Sequence, residues 1–119
     1  MKKENRLKKN EDFQIIFQQG TSVANRQFVV YYLRKADQEC ARIGLSVSKK
    51  LGNAVTRNRI KRLMREALSI LLPDISKNYD VVIIARRPTI DMELQQFRNS
   101  ITHVLKLSGV LKKRVQRSL

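Results

Sequence analysis

Between Cys40 and Arg65 the chain carries no acid, yet it carries Arg42, Lys49, Lys50, Arg57, Arg59, Lys61, Arg62 and Arg65. Side chains of this kind bind anions. An arginine fork donates two parallel hydrogen bonds to a phosphate, and its plane stacks on a base. The segment from Asn53 to Ala67 reads NAVTRNRIKRLMREA, and its apolar residues recur with a helical period. On a helical wheel Ile60, Leu63, Met64 and Ala67 fall on one side, which Leu68 and Leu71 extend. Arg57, Lys61 and Arg65 stack at i, i+4 and i+8, with Asn58 and Arg62 beside them. These five make a polar face opposite the apolar one, while Arg59 lands at the other edge of the apolar stripe. A helix that needed only solubility would intersperse Glu to gain i,i+4 pairs, whereas stacked like charges cost stability in isolation. The pattern points to a polyanionic partner rather than a solvated face.

Aromatic residues suggest a second contact. Phe13 and Phe17 project from one face of a short first helix. Tyr31 shares a strand face with Val29, and Tyr32 falls on the opposite face. If the helix packs at the sheet edge, these rings line a groove in which unpaired bases stack. The competing expectation is that phenylalanines at helical spacing belong to the core, and periodicity does not choose between the two.

Residues for hydrolysis are missing. His103, the only histidine, falls on its helix away from Leu94, Ile101 and Leu105 and is expected to face solvent. Cys40 sits in an expected loop without a nearby base. No His, Cys and carboxylate cluster shows metal-ligand spacing. Glu11 and Asp12 suit a helix start, and Asp74 and Asp80 lie in separate segments. Gly44 and Gly52 are isolated, so there is no phosphate-cradling glycine loop. A nuclease would need convergent carboxylates for its metal. The expectation is a chain with no catalytic and no metal-binding residues of its own.

The elements that must position these groups follow from the pattern. The 119 residues fit one domain, 1–119, and 42% are hydrophobic, enough for a core. The formal net charge of +15 implies self-repulsion that an anionic partner relieves. Residues 1–9 read as a mobile basic arm and 110–119 as a basic tail. Asn10 is the expected N-cap of the first helix, which Gly20 ends. A weak strand follows from Thr21 to Ala24, then strands from Gln27 to Arg34, Ala41 to Ser48 and Tyr79 to Ala85. Asn53 caps the basic helix, which runs to about Leu72. Asp91 is the expected cap of the last helix, closed by Gly109. The order is α-β-β-β-α-β-α, an α+β sandwich with helices on a four-stranded mixed sheet. Cys40 is the only cysteine, so no internal disulfide forms. The opening residues show no apolar run of a secretory leader. The longest apolar stretch, Tyr79 to Ala85, is broken by Asp80 and is too short to span a bilayer. The expectation is a cytoplasmic protein with no membrane partner and no small-molecule substrate.

At these residues the chain resembles the protein subunit of bacterial ribonuclease P. The likeness rests on GLSVSKKLGNAVTRNRIKRLMREA, from Gly44 to Ala67, with Arg57-Asn58-Arg59 at its centre. RLKKNEDFQIIFQQG, from Arg6 to Gly20, and VVIIARRP, from Val81 to Pro88, also fit. The resemblance implies a fold like a domain of a ribosomal protein, with a left-handed β-α-β crossover around the basic helix, against the usual handedness. It implies a catalytic RNA subunit that performs the cleavage, precursor tRNA as substrate, and removal of its 5′ leader. Magnesium would be held mainly by the RNA, and the protein would lower the requirement for it. Carried onto this chain, the leader-binding cleft implies Phe13, Phe17, Val29 and Tyr31. The RNA-binding helix implies Arg57, Asn58, Arg59, Lys61, Arg62 and Arg65, with Lys49 and Lys50 as auxiliary cations. The rivals are an RNA-binding module with no part in cleavage, a protein-only nuclease, and a DNA-binding helix-turn-helix. The last is disfavoured because strand and turn, not a helix, precede the basic helix.

Overall fold

Burial of two unequal apolar faces of one sheet organises the chain. The computed structural model describes residues 2–112, so the expected tail lies outside the described residues from residue 113 onward. Helix α1 (Asn10–Gln19) is followed by strands β1 (Thr21–Ala24), β2 (Phe28–Arg34) and β3 (Arg42–Ser46). Helix α2 (Ala54–Leu71), strand β4 (Tyr79–Ala85) and helix α3 (Leu94–Ser108) complete the order. The strands lie in the order β1-β2-β4-β3. β2 is antiparallel to both β1 and β4, while β3 runs parallel to β4, joined to it through α2. The sheet is therefore mixed and four-stranded, as the pattern implies.

Strand alternation assigns the faces. Phe28 and Val30 of β2, with Val81 and Ile83 of β4, meet Ile60, Met64 and Leu68 of α2 and Phe97 and Ile101 of α3 in the main core. On the other face Val82 meets Ile16 of α1 and Leu7, with Phe13, Tyr31, Leu33 and Ile84 packed against them. Two long helices cover the first face; a single ten-residue helix covers part of the second. That asymmetry leaves apolar rings at the surface.

The ends of the elements correct the sequence expectations in three places. Lys9, not Asn10, holds the N-cap position of α1 and makes no side-chain cap bond; Asn10 is the first helical residue. Glu11 and Asp12 still lie in the first turn, where they oppose the helix dipole. Glu93, not Asp91, caps α3, because its side chain and that of Gln96 form a reciprocal capping box. Asp91 ends a short 3-10 turn, Arg87–Asp91, with Pro88 as its second residue. The expected free arm is docked instead. Leu7 is buried and its N–H donates to the Ile43 carbonyl at 3.0 Å, while buried Asn5 donates to the Ala41 carbonyl at 2.8 Å. A buried leucine and two hydrogen bonds to backbone carbonyls outweigh the mobility that its charge suggests.

One charged pair ties the layers together. Asp80, 1% exposed, lies opposite Arg42 in the β3–β4 register. The Arg42 guanidinium donates to its two oxygens at 2.9 and 2.6 Å. Arg42 also reaches Asp12 of α1 at 3.7 Å. The hydrogen bond to the Asp80 carboxylate raises the Arg42 pKa above its ordinary value, against the effect of burial. Among the described residues, Arg42→Ala would leave the Asp80 carboxylate with only Lys35, at 3.9 Å, as an ion-pair partner. We expect that substitution to cost about 3 kcal/mol, the scale for breaking a buried pair from one side. The urea unfolding midpoint measures it, and a loss under about 0.5 kcal/mol, the scale of an exposed pair, would show that the contact does not hold β3 to β4.

Candidate nucleic-acid interface

The basic helix takes its position from its apolar side. Ile60, Leu63, Met64, Ala67 and Leu68 are buried, as the wheel implies. Asn58, Arg62 and Arg65 are exposed, and Arg57 and Lys61 are half-buried. Asn53 caps the helix by accepting from the Thr56 N–H at 3.0 Å. Ahead of it, Gly52 has φ of 144°, a conformation that L side chains rarely adopt, and its carbonyl accepts from Arg57 Nε at 3.2 Å. Lys49 and Lys50 lie in the turn Lys49–Leu51, both exposed, beside a helix start with no acid. The positive end of the helix dipole adds to their charge.

Arg59 stands apart from that face. Its guanidinium donates to the carbonyls of Ile90 at 3.4 Å and Met92 at 3.1 Å, on the connection into α3. Two of its donors are spent inside the fold, as its place at the edge of the apolar stripe allows.

A feature that the sequence reading misses completes the basic surface. Arg6 and Lys8 of the docked arm line a cavity of about 170 Å³ together with Lys61 and Arg65 of α2 and Leu45 of β3. Among the described residues none of these four cations has an ion-pair partner. The signal was present: in Arg6-Leu7-Lys8 an extended chain turns the leucine inward and both cations outward. Arg42 was missed likewise, although an aspartate inside the apolar run from Tyr79 to Ala85 signals a buried counter-charge.

The aromatic residues do come together. The rings of Phe13 and Phe17 lie 6.5 Å apart, and Phe17 meets Tyr31 edge-on at 4.9 Å. Phe13 and Tyr31 are half-buried, whereas Phe17 is 42% exposed. The groove-or-core ambiguity resolves by residue: Ile16 takes the core position of α1 and Phe17 the surface. Val29 lies next but one to Tyr31 on the same sheet face and is half-buried. Phe13 and Phe17 line a second cavity of about 350 Å³ with Asn10, Gln14, Leu45 and Ser46. Leu45 borders both cavities, so the aromatic and basic surfaces meet across edge strand β3.

Gly44 seats the aromatic group. A Cβ there would lie 2.3 Å from Phe13 Cε1 and 2.6 Å from its Cζ, so the ring rests directly on the β3 backbone. Gly44→Ala should swing Phe13 aside at a small stability cost, about 1 kcal/mol. The Phe13, Phe17 and Tyr31 ring resonances measure the change; unaltered ring signals would show that the glycine does not seat the cluster.

His103 is exposed and Cys40 half-buried, and among the described residues no three His, Cys, Asp or Glu converge as a metal site. Among the same residues no helix is long and apolar enough to cross a membrane. The surface can therefore bind phosphates and stack bases, but it shows no assembled acid–base or metal centre.

Comparison with known proteins agrees with this geometry. The family model for ribonuclease P matches residues 1–108. The chain is 55% identical over 116 residues to the ribonuclease P protein component of Exiguobacterium sibiricum, covering 98% of this chain and all of that one. Among solved structures, the Staphylococcus aureus RNase P protein superposes with a TM-score of 0.84 at 50% identity, over 91% of this chain and 98% of its own. The RNase P protein of Thermotoga maritima gives 0.77 at 31% identity, over 86% of this chain and 96% of its own.

Proposed function

The chain belongs to the ribonuclease P protein family, and on that premise we propose that its two joined surfaces divide the labour between catalytic RNA and substrate leader. As the protein component of the ribonucleoprotein it assists removal of the 5′ leader from precursor tRNA, and the RNA subunit performs the cleavage. The observation that carries the finer proposal is the meeting of an aromatic cavity and an unpaired cationic cavity at Leu45.

A single-stranded leader crossing β3 can stack unpaired bases on Phe17 and Tyr31, with Phe13 and Val29 as the floor. Stacking of this kind is tolerant of sequence. Arg57, Asn58, Lys61, Arg62 and Arg65 then face phosphate, with Lys49 and Lys50 at the helix start. Arg59 contributes charge and its remaining donors on the far flank. Phosphate contacts position a strand without reading its bases, which suits an activity on many precursor tRNAs.

In this reading magnesium is held mainly by the RNA. The carboxylates of the described residues do not converge, and Asp80 and Asp12 are engaged with Arg42. These residues do not fit a magnesium seat. The cationic face instead neutralises crowded phosphates where substrate and catalytic RNA meet, so less magnesium is needed to hold the two together. The same chemistry fits a cytoplasmic partner of tRNA processing.

Four outcomes test this account. Added to the catalytic RNA at low magnesium, the protein should accelerate leader removal; no acceleration would favour a binding module outside cleavage. The protein alone with precursor tRNA and magnesium should leave the substrate intact. If about six phosphates are neutralised, affinity should fall with salt at a log–log slope of roughly −4, and a flat response would remove the electrostatic half. Phe17→Ala and Tyr31→Ala should each weaken precursor binding by about tenfold, the scale of one stacked base, while mature tRNA binding holds. Equal losses on both substrates would overturn leader recognition by those rings.

A further inference from the structure

The largest of the described cavities, about 540 Å³, lies away from both surfaces. It opens at the end of the sheet where the β1–β2 turn meets the 3-10 turn after β4 and the first turns of α3. Four amide side chains line it with Ser100, His103 and Asp91, over Met92 and Pro88. Leader contact and the basic helix leave this site unexplained.

Internal hydrogen bonds decide what it presents. Asn25 Oδ1 accepts from the N–H groups of Gln27 and Phe28, which fixes the orientation of its amide. Its Nδ2 then donates to Ser100 and reaches His103 Nδ1 at 3.3 Å. That contact is a hydrogen bond when Nδ1 accepts, in the tautomer that carries its proton on Nε2. The Gln27 oxygen accepts from Ser100 Oγ, the Gln96 oxygen from the Glu93 N–H, and the Asn99 oxygen from Gln95. The oxygens of these three lining amides are thus engaged, and their NH₂ groups remain as donors, joined in that tautomer by His103 Nε2–H. Asp91, exposed on the rim, is the one acceptor-only group in the lining. Arg86 is exposed beside them, and its Nη1 donates to the Asn25 carbonyl at 3.0 Å.

Several donors and one carboxylate match a group that offers carbonyl oxygens flanking an N–H. Uracil carries that arrangement on its Watson–Crick edge; guanine has an amino group in place of one carbonyl, and cytosine and adenine lack the imino N–H. We propose that this cavity holds one unpaired uridine of an RNA strand. Its base carbonyls meet the amides and His103, its imino N–H meets Asp91, its face rests on Met92 and Pro88, and its phosphate lies toward Arg86.

Nitrogen-resolved NMR of the full chain with hexauridylate or hexacytidylate tests this. Hexauridylate should shift the side-chain amides of Gln27, Gln96 and Asn99 and the His103 ring, and hexacytidylate should not. Asn99→Ala should weaken the hexauridylate response about fivefold, the scale of one lost hydrogen bond. Asp91→Asn offers a donor to cytosine N3 and should admit hexacytidylate. No shift at these groups with either oligomer, or equal shifts in the wild-type chain, would overturn the proposal. The Phe17 and Tyr31 signals in the same spectra report leader-type binding separately, so the two readings can fail independently. Photocrosslinking with 4-thiouridine in either the catalytic RNA or the precursor then identifies the source. A crosslink to Met92 or His103 from one of them supports the site, and none from both overturns it.

Discussion

Like charges held in a row on one helix are the constraint on which the rest of this molecule depends. Arg57, Lys61 and Arg65 repel along α2, each i,i+4 pair at a few tenths of a kcal/mol. The opposite side of the same helix buries Ile60, Leu63, Met64, Ala67 and Leu68. Each fully buried large aliphatic side chain contributes about 1.5–3 kcal/mol. Burial wins by a wide margin, so α2 folds on its apolar face and carries its cations without acidic partners. The unneutralised charge is then free for phosphate, and a polyanion relieves the repulsion when it binds.

The sheet separates two kinds of work. Its α2–α3 face carries the larger core, and its α1 face carries the smaller one. Because α1 is short and Ile16 alone takes its buried position, Phe17 is left at the surface against Tyr31. Edge strand β3 then joins the ring cluster to the cations. Gly44 lets Phe13 lie against its backbone, Leu45 borders both cavities, and Arg42 fastens it to β4 and reaches toward α1. A strand carrying these three roles has little freedom to move without disturbing the interface.

Charge in this chain is handled in two opposite ways, and burial decides which. Asp80 is enclosed, and a carboxylate there is tolerable only because Arg42 gives it two hydrogen bonds. Arg6, Lys8, Lys61 and Arg65 stay near water, where unpaired cations cost little. Three of the ten acids are thus drawn into structural roles, Asp12 and Asp80 with Arg42 and Glu93 in the α3 cap. The surface beside β3 remains cationic.

Local pattern alone determined much of this protein. The helical period from Asn53 to Ala67 fixes which residues of α2 are buried and which face outward. Alternation along β2 puts Tyr31 with Val29 and Tyr32 on the other face, since successive side chains must oppose each other. The missing acids name the class of partner, and the motif from Gly44 to Ala67 names the family. Caps were less legible, because Asn10, Asp91 and Glu93 are all capable and only backbone geometry selects among them. Tertiary structure decided what no window of sequence contains. Arg42 and Asp80 become partners through the β3–β4 register, Arg6 and Lys8 join α2 because Leu7 is buried, and Arg59 turns inward to carbonyls 31 and 33 residues away. Each of these depends on contacts between segments distant in the chain, and the energy of such contacts exists only once the layers are packed.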